Sequence, residues 1–102
     1  MAVKKIVSES GRSVTLVLDE RFDFALHQLF REAYITCEEP KTLFSVDLSK
    51  TTYMDSSALG MILLLKDHAE RLSGTVKIKK PSDSVNKILE IAQFHRLMAI
   101  ER

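Results

Sequence analysis

Apolar and polar positions along the chain predict alternating strands and helices. Ile6-Val7 lies in a first strand, and Ser13-Val14-Thr15-Leu16-Val17-Leu18 alternates with a period of two, the mark of a strand with one covered face. Ser10-Gly11 separates the two, and glycine tolerates the positive φ that a hairpin turn requires. Leu26, Leu29, Phe30 and Ala33 then recur at helical spacing and predict one stripe toward a core. Asp23 precedes that stripe as a candidate cap, and Glu38-Glu39-Pro40 is expected to end the segment.

The next strand, Leu43-Phe44-Ser45-Val46-Asp47-Leu48, sends Phe44, Val46 and Leu48 one way and Ser45 and Asp47 the other. Val76 and Ile78 alternate with Lys77 and Lys79 in the same manner. Strands covered on both faces would be apolar throughout, so the pattern predicts a sheet with helices mainly on one face. Between these strands a helix is predicted from Ser56 to Leu72. Its first half, Ala58 to Leu65, is apolar all round and is expected to be largely buried, while Lys66, Asp67, Glu70 and Arg71 follow. Gly74 is placed to end it in a left-handed cap. A third helix follows Pro81, with Ser82 as N-cap and Val85, Ile88, Leu89 and Ala92 as its inner face, and Leu97-Met98-Ala99-Ile100 forms a short last strand. The predicted order is ββαβαβαβ, an α/β arrangement with a mixed, mostly parallel sheet, in a single domain over residues 1–102.

Composition narrows the functional classes. Fifteen basic residues against fourteen acidic ones leave a net charge of +1, so no field favours nucleic acid or an anionic membrane. The longest uninterrupted apolar run, Met61–Leu65, is far shorter than a bilayer span, and Met-Ala-Val-Lys-Lys-Ile lacks the apolar stretch of a signal peptide. A cytoplasmic location is expected. Cys37 is the only cysteine, which suits a reducing compartment.

The stretch Tyr53-Met54-Asp55-Ser56-Ser57-Ala58-Leu59-Gly60 is unusual because small polar residues join a buried strand to a buried helix start. Spacing alone makes it a helix N-terminus, with Asp55 or Ser56 as the cap. Asp55-Ser56-Ser57-Ala58-Leu59-Gly60, preceded by Val46-Asp47-Leu48 and Met54, also resembles the Asp-Ser-Ser-Gly-Leu-Gly signature of STAS domains. Arg21-Phe22-Asp23-Phe24 is similar to a second family segment, Gly-Glu-Leu-Asp, ahead of the first helix. The order of elements agrees from end to end.

The resemblance implies an anti-sigma factor antagonist, a binding module without catalytic residues, metal or cofactor. In that type the first serine after the aspartate, here Ser56, is phosphorylated by a partner that is both anti-sigma factor and serine kinase. A PP2C-like phosphatase is the implied counterpart. Asp55 is implied to orient the serine, Ser57 to support it, and Asp23 to lie near the partner surface. Two departures stand out: Ala58 replaces the usual glycine, which is expected to reduce close backbone approach, and Arg21 stands where an acidic residue is common. A second STAS reading remains open, a constitutive interaction subunit of a lipid-transport or stress-signalling assembly without a phosphorylation cycle.

Rival chemistries lack their residues. A receiver domain needs an acidic pair after its first strand, and only Glu9 is there. Gly11, Gly60 and Gly74 are too scattered for a phosphate loop and have turn or packing explanations. Ser56 sits on no nucleophile elbow, and His27, His68 and His95 fall on separate helical segments. Lys77, Lys79 and Lys80 form a small basic edge without interleaved aromatics.

Overall fold

The computed structural model describes residues 2–102 and bears out the α/β arrangement. The strands are β1 (Val3–Val7), β2 (Ser13–Leu18), β3 (Arg21–Phe22), β4 (Leu43–Asp47), β5 (Tyr53–Met54), β6 (Thr75–Lys79) and β7 (Ala99–Glu101). The helices are α1 (His27–Ile35), α2 (Ser56–Arg71) and α3 (Asp83–Ile91), with single 3-10 turns at Phe24–Leu26 and Phe94–Arg96. Five strands form the main sheet in the order β1-β2-β4-β6-β7; β1 and β2 are antiparallel and the other neighbours parallel. Gly11, at φ 76, makes the β1–β2 turn as its sequence position predicts.

Register explains why the sheet has one covered face. Val14, Phe44 and Val76 form one row across β2, β4 and β6, and Leu16, Val46 and Ile78 form the next. Both rows are buried in the core with Phe30 and Tyr34 of α1, Met61, Ile62 and Leu65 of α2, and Val85 and Leu89 of α3. The alternate rows, Thr15-Ser45-Lys77 and Val17-Asp47-Lys79, point to the other face. There Lys77 reaches Glu101 at 3.1 Å. No described helix is long and apolar enough to cross a membrane.

Several local expectations are corrected. In α1 the stripe runs through Leu26, Phe30 and Tyr34, because Phe30 packs 5.2 Å from the Phe22 ring and 5.7 Å from Tyr34; Leu29 is exposed. The helix ends at Ile35, before the Glu38-Glu39-Pro40 segment. The last strand begins at Ala99, since Leu97 closes a 3-10 turn over buried Phe94. In α2 only one side of the apolar half is covered, leaving Leu63 and Leu64 exposed. Gly74 is not the left-handed residue: Ser73 takes that role at φ 58. Gly74 is needed for space, since a Cβ there would overlap the Thr42 carbonyl oxygen, and that oxygen also accepts from the Thr75 amide at 3.1 Å.

Two outcomes follow from these contacts. Gly74→Ala should lose about 1–3 kcal/mol of stability, read from urea denaturation, because backbone rather than a flexible side chain blocks the methyl. Asp47 sets an acid limb. Burial pushes its carboxyl upward, but hydrogen bonding from Ser49 and the charges of Lys79 and Lys80 outweigh burial and hold it below its ordinary value. A depressed carboxyl stabilises the fold above its unfolded value and loses that contribution as pH falls through the folded one. Asp47→Asn should therefore lower stability at neutral pH and flatten its decline in the acid range, measured by denaturation at stepped pH.

Candidate functional site

The site is built by two segments that leave the main sheet and pair with each other. β3 and β5 form a two-residue parallel ladder, with Arg21 opposite Tyr53 and Phe22 opposite Met54. Polar contacts lock the approach to it. The Thr51 hydroxyl donates to the Asp19 carbonyl at 2.9 Å, and the Thr52 and Tyr53 amides both donate to the Glu20 carbonyl, at 2.9 and 3.1 Å. Phe22 and Met54 are buried, so alternation turns Arg21, Asp23, Tyr53 and Asp55 outward.

One residue beyond the ladder, each strand ends in a capping aspartate. Asp23 accepts from the Ala25 amide at 3.0 Å and starts the turn that leads into α1. Asp55 accepts from the Ala58 amide at 3.0 Å and starts α2. The cap of α2 is thus a carboxylate. Ser56 is the first residue of α2 and exposed, and Ser57 follows half-buried. Among the described residues, neither hydroxyl has a hydrogen-bond partner. The four residues singled out in the sequence therefore fall at one end of the molecule, with Ser56 the more accessible hydroxyl.

Exposed apolar and aromatic side chains complete this face. Phe24 is 65% exposed and stacks on His27 with ring centroids 5.3 Å apart; Tyr53 is 42% exposed. Helical spacing lines up Ser56, Gly60 and Leu63 on α2, and Leu63 is 41% exposed. Leu64 lies toward α1, beside His27, Arg31 and Tyr34. A Cβ at Gly60 would meet nothing within 4 Å, so the packing explanation for this glycine fails. Ala58 is fully buried, so its methyl faces the core and does not obstruct approach to the surface. The exposed apolar residues were missed because a helix with apolar residues all round gives no sign of which side stays open.

A family model described as "Mlab, STAS domain" matches residues 6–99. The chain belongs to the STAS family. It is 42% identical over 100 residues to a STAS-domain containing protein of Pseudomonas aeruginosa, covering 98% of this chain and 99% of that one. Its STAS fold is also similar to a sulfate transporter family protein from Wolinella succinogenes, with a TM-score of 0.79 and 14% identity, covering 96% of this chain and 81% of that one. The anti-sigma factor antagonist SpoIIAA in its unphosphorylated form gives a TM-score of 0.74 at 16% identity, covering 99% and 88% of the two chains. The phosphorylated form of the same protein gives 0.69 at 18% identity, covering 99% and 92%. At such identities these likenesses show the STAS fold.

Gly60 offers a test of the face that needs no partner. Gly60→Ala should raise stability by about 0.5–1 kcal/mol, the helix-interior preference for alanine with no steric penalty to oppose it. Denaturant titration reads the change, and a loss of stability would mean that Gly60 is held by contacts rather than left open.

Proposed function

We propose that this STAS domain is a cytoplasmic anti-sigma factor antagonist whose docking face is switched at Ser56. The observation that carries the reading is the division of labour at the start of α2. Asp55 supplies the cap, and the neighbouring Ser56 hydroxyl stands exposed and, among the described residues, unpaired, two residues past the Phe22–Met54 pair of the ladder. A hydroxyl with no structural duty can be modified without disturbing the helix. The surrounding apolar side chains, Phe24, Tyr53 and Leu63, provide area for a protein partner. Anti-sigma factor antagonists among proteins of the same fold, one of them known in unphosphorylated and phosphorylated forms, support this reading.

The unmodified domain binds an anti-sigma factor that is also a serine kinase, and a sigma factor is released. In the kinase step the Ser56 oxygen forms a bond to the γ-phosphorus of ATP, the bond to the leaving ADP oxygen breaks, and the hydroxyl proton departs. A PP2C-like phosphatase reverses the state by adding water across the phosphoester, returning serine and inorganic phosphate. Phosphorylation adds about −1.5 to −2 charges beside Asp55 and Asp23. A docked surface shaped for a hydroxyl meets bulk and repulsion, and a penalty of ~3 kcal/mol weakens binding by about two orders of magnitude. The helix start tolerates the phosphate because its amides favour an anion. A second reading, a constitutive interaction subunit, is favoured by the transporter-family protein of the same fold.

Calorimetric titration with the anti-sigma partner separates the two. Ser56→Ala should stay within about 0.5 kcal/mol of wild-type stability, since Asp55 is the cap, and bind at least as tightly. Ser56→Asp should bind more weakly, and protein phosphorylated at Ser56 about 100-fold more weakly. Equal affinities for all four folded forms would overturn the switch and favour the constitutive subunit.

A further inference from the structure

Arg21 is an exposed side chain whose position is nevertheless constrained from two sides. The β3–β5 ladder sets it opposite Tyr53, and its guanidinium carbon lies 4.3 Å from the centroid of the Tyr53 ring. Its Nε approaches Asp23 Oδ2 at 3.5 Å, while the side chain remains 64% exposed. The ring and the carboxylate together hold the guanidinium over Tyr53 and toward Asp23. Among the described residues its two terminal nitrogens have no protein partner. An arginine held from two sides with its terminal N–H groups free is a receptor for an oxyanion.

The ladder also indicates where that oxyanion belongs. Past the Phe22–Met54 pair, the two chains reach Asp23 and Asp55, and Ser56 is the next residue. The ion pair with Asp23 draws the guanidinium along the ladder in the same direction. A phosphate on Ser56 would face Asp23 and Asp55, two anions that oppose its second ionisation. His27 is engaged with the Phe24 ring, and Lys50 is an exposed residue of the β4–β5 connection with no ion pair among the described residues. Arg21 is the cation carried by the ladder itself, restrained by Tyr53 and Asp23.

We infer that Arg21 is the intramolecular receptor for phosphate on Ser56, exchanging its contact with Asp23 Oδ2 for charge-assisted bonds to the phosphate. The inference rests on the reading of Ser56 as a phosphoacceptor and adds to it a second surface change. Asp23 keeps its cap through Oδ1, so the turn before α1 is undisturbed. Its other oxygen is released, and the cation opposite Tyr53 turns inward to the phosphate. Modification thereby adds an anion to the docking face and withdraws a cation from it.

The test needs neither kinase nor partner. Phosphoserine is placed at position 56 by genetic encoding, and the phosphate resonance is followed by phosphorus NMR across its second ionisation, normally near pH ~6. The phosphate of the otherwise wild-type protein should ionise at least about 0.5 pH unit lower than that of Arg21→Gln, about a threefold preference for the dianion. Arg21→Lys should fall between them, having the charge without the planar fork. The Arg21 Nε–H resonance should move with the same midpoint. Lys50→Gln should leave the titration unchanged. Superimposable curves for wild type and Arg21→Gln, or a shift produced by Lys50→Gln instead, would overturn the assignment. Partner titration of the same phosphoserine protein decides separately whether Ser56 is a switch, so the two readings fail independently.

Discussion

Arg21–Phe22 and Tyr53–Met54 pair with each other rather than with the main sheet, and the position of every candidate functional residue depends on that ladder. Its inward residues, Phe22 and Met54, join the core, and Phe22 packs against Phe30 of α1. Its outward residues, Arg21 and Tyr53, are exposed. Two connections that would otherwise be independent loops become one rigid corner, tied further by Thr51, Thr52 and Tyr53 to the Asp19 and Glu20 carbonyls. An aspartate thereby opens the 3-10 turn that leads into α1, and another opens α2.

Under the proposed function, this construction separates stability from signalling. The Asp55 carboxylate caps α2, and Asp23 caps the turn before α1, so the hydroxyl between Asp55 and the apolar run holds no cap. A chemical change at Ser56 then alters the surface without first breaking a cap. The exposed side chains around it include Phe24, Tyr53 and Leu63, whereas on the open face of the sheet the central row Thr15-Ser45-Lys77 is small or charged and Lys77 is already paired to Glu101. Charge at Ser56 acts where a partner would bury apolar area, and there an anion is most costly to desolvate.

The elements with strong periodicity were legible in the sequence. The alternation in β2, β4 and β6 gave both the strands and the one-sided sheet, and Ser82 caps α3 through its bond from the Val85 amide at 3.3 Å, as its position predicts. Asp55 and Ser56 were legible as a helix start, though spacing left open which of them caps; the Ala58 amide chooses Asp55. The ladder itself was invisible, because two-residue strands have no period. Gly74 was misread because a glycine after a helix fits a left-handed cap as well as a close approach, and only the Thr42 carbonyl distinguishes them. Leu29, Leu63 and Leu64 show the same limit from the other side: apolar character specifies what can be buried, not what tertiary packing covers.

The central claim is that the corner built by the ladder is the docking face and that its competence depends on the state of Ser56. Amide-resolved NMR of the labelled domain, titrated with the anti-sigma partner, tests this most directly. For the unmodified protein, perturbations should concentrate at residues 21–27 and 53–64, with residues of the open sheet face unmoved. For the protein phosphorylated at Ser56 the same additions should leave the spectrum nearly unchanged. Perturbations centred on Thr15, Ser45 and Lys77, or an identical response in both states, would contradict the account.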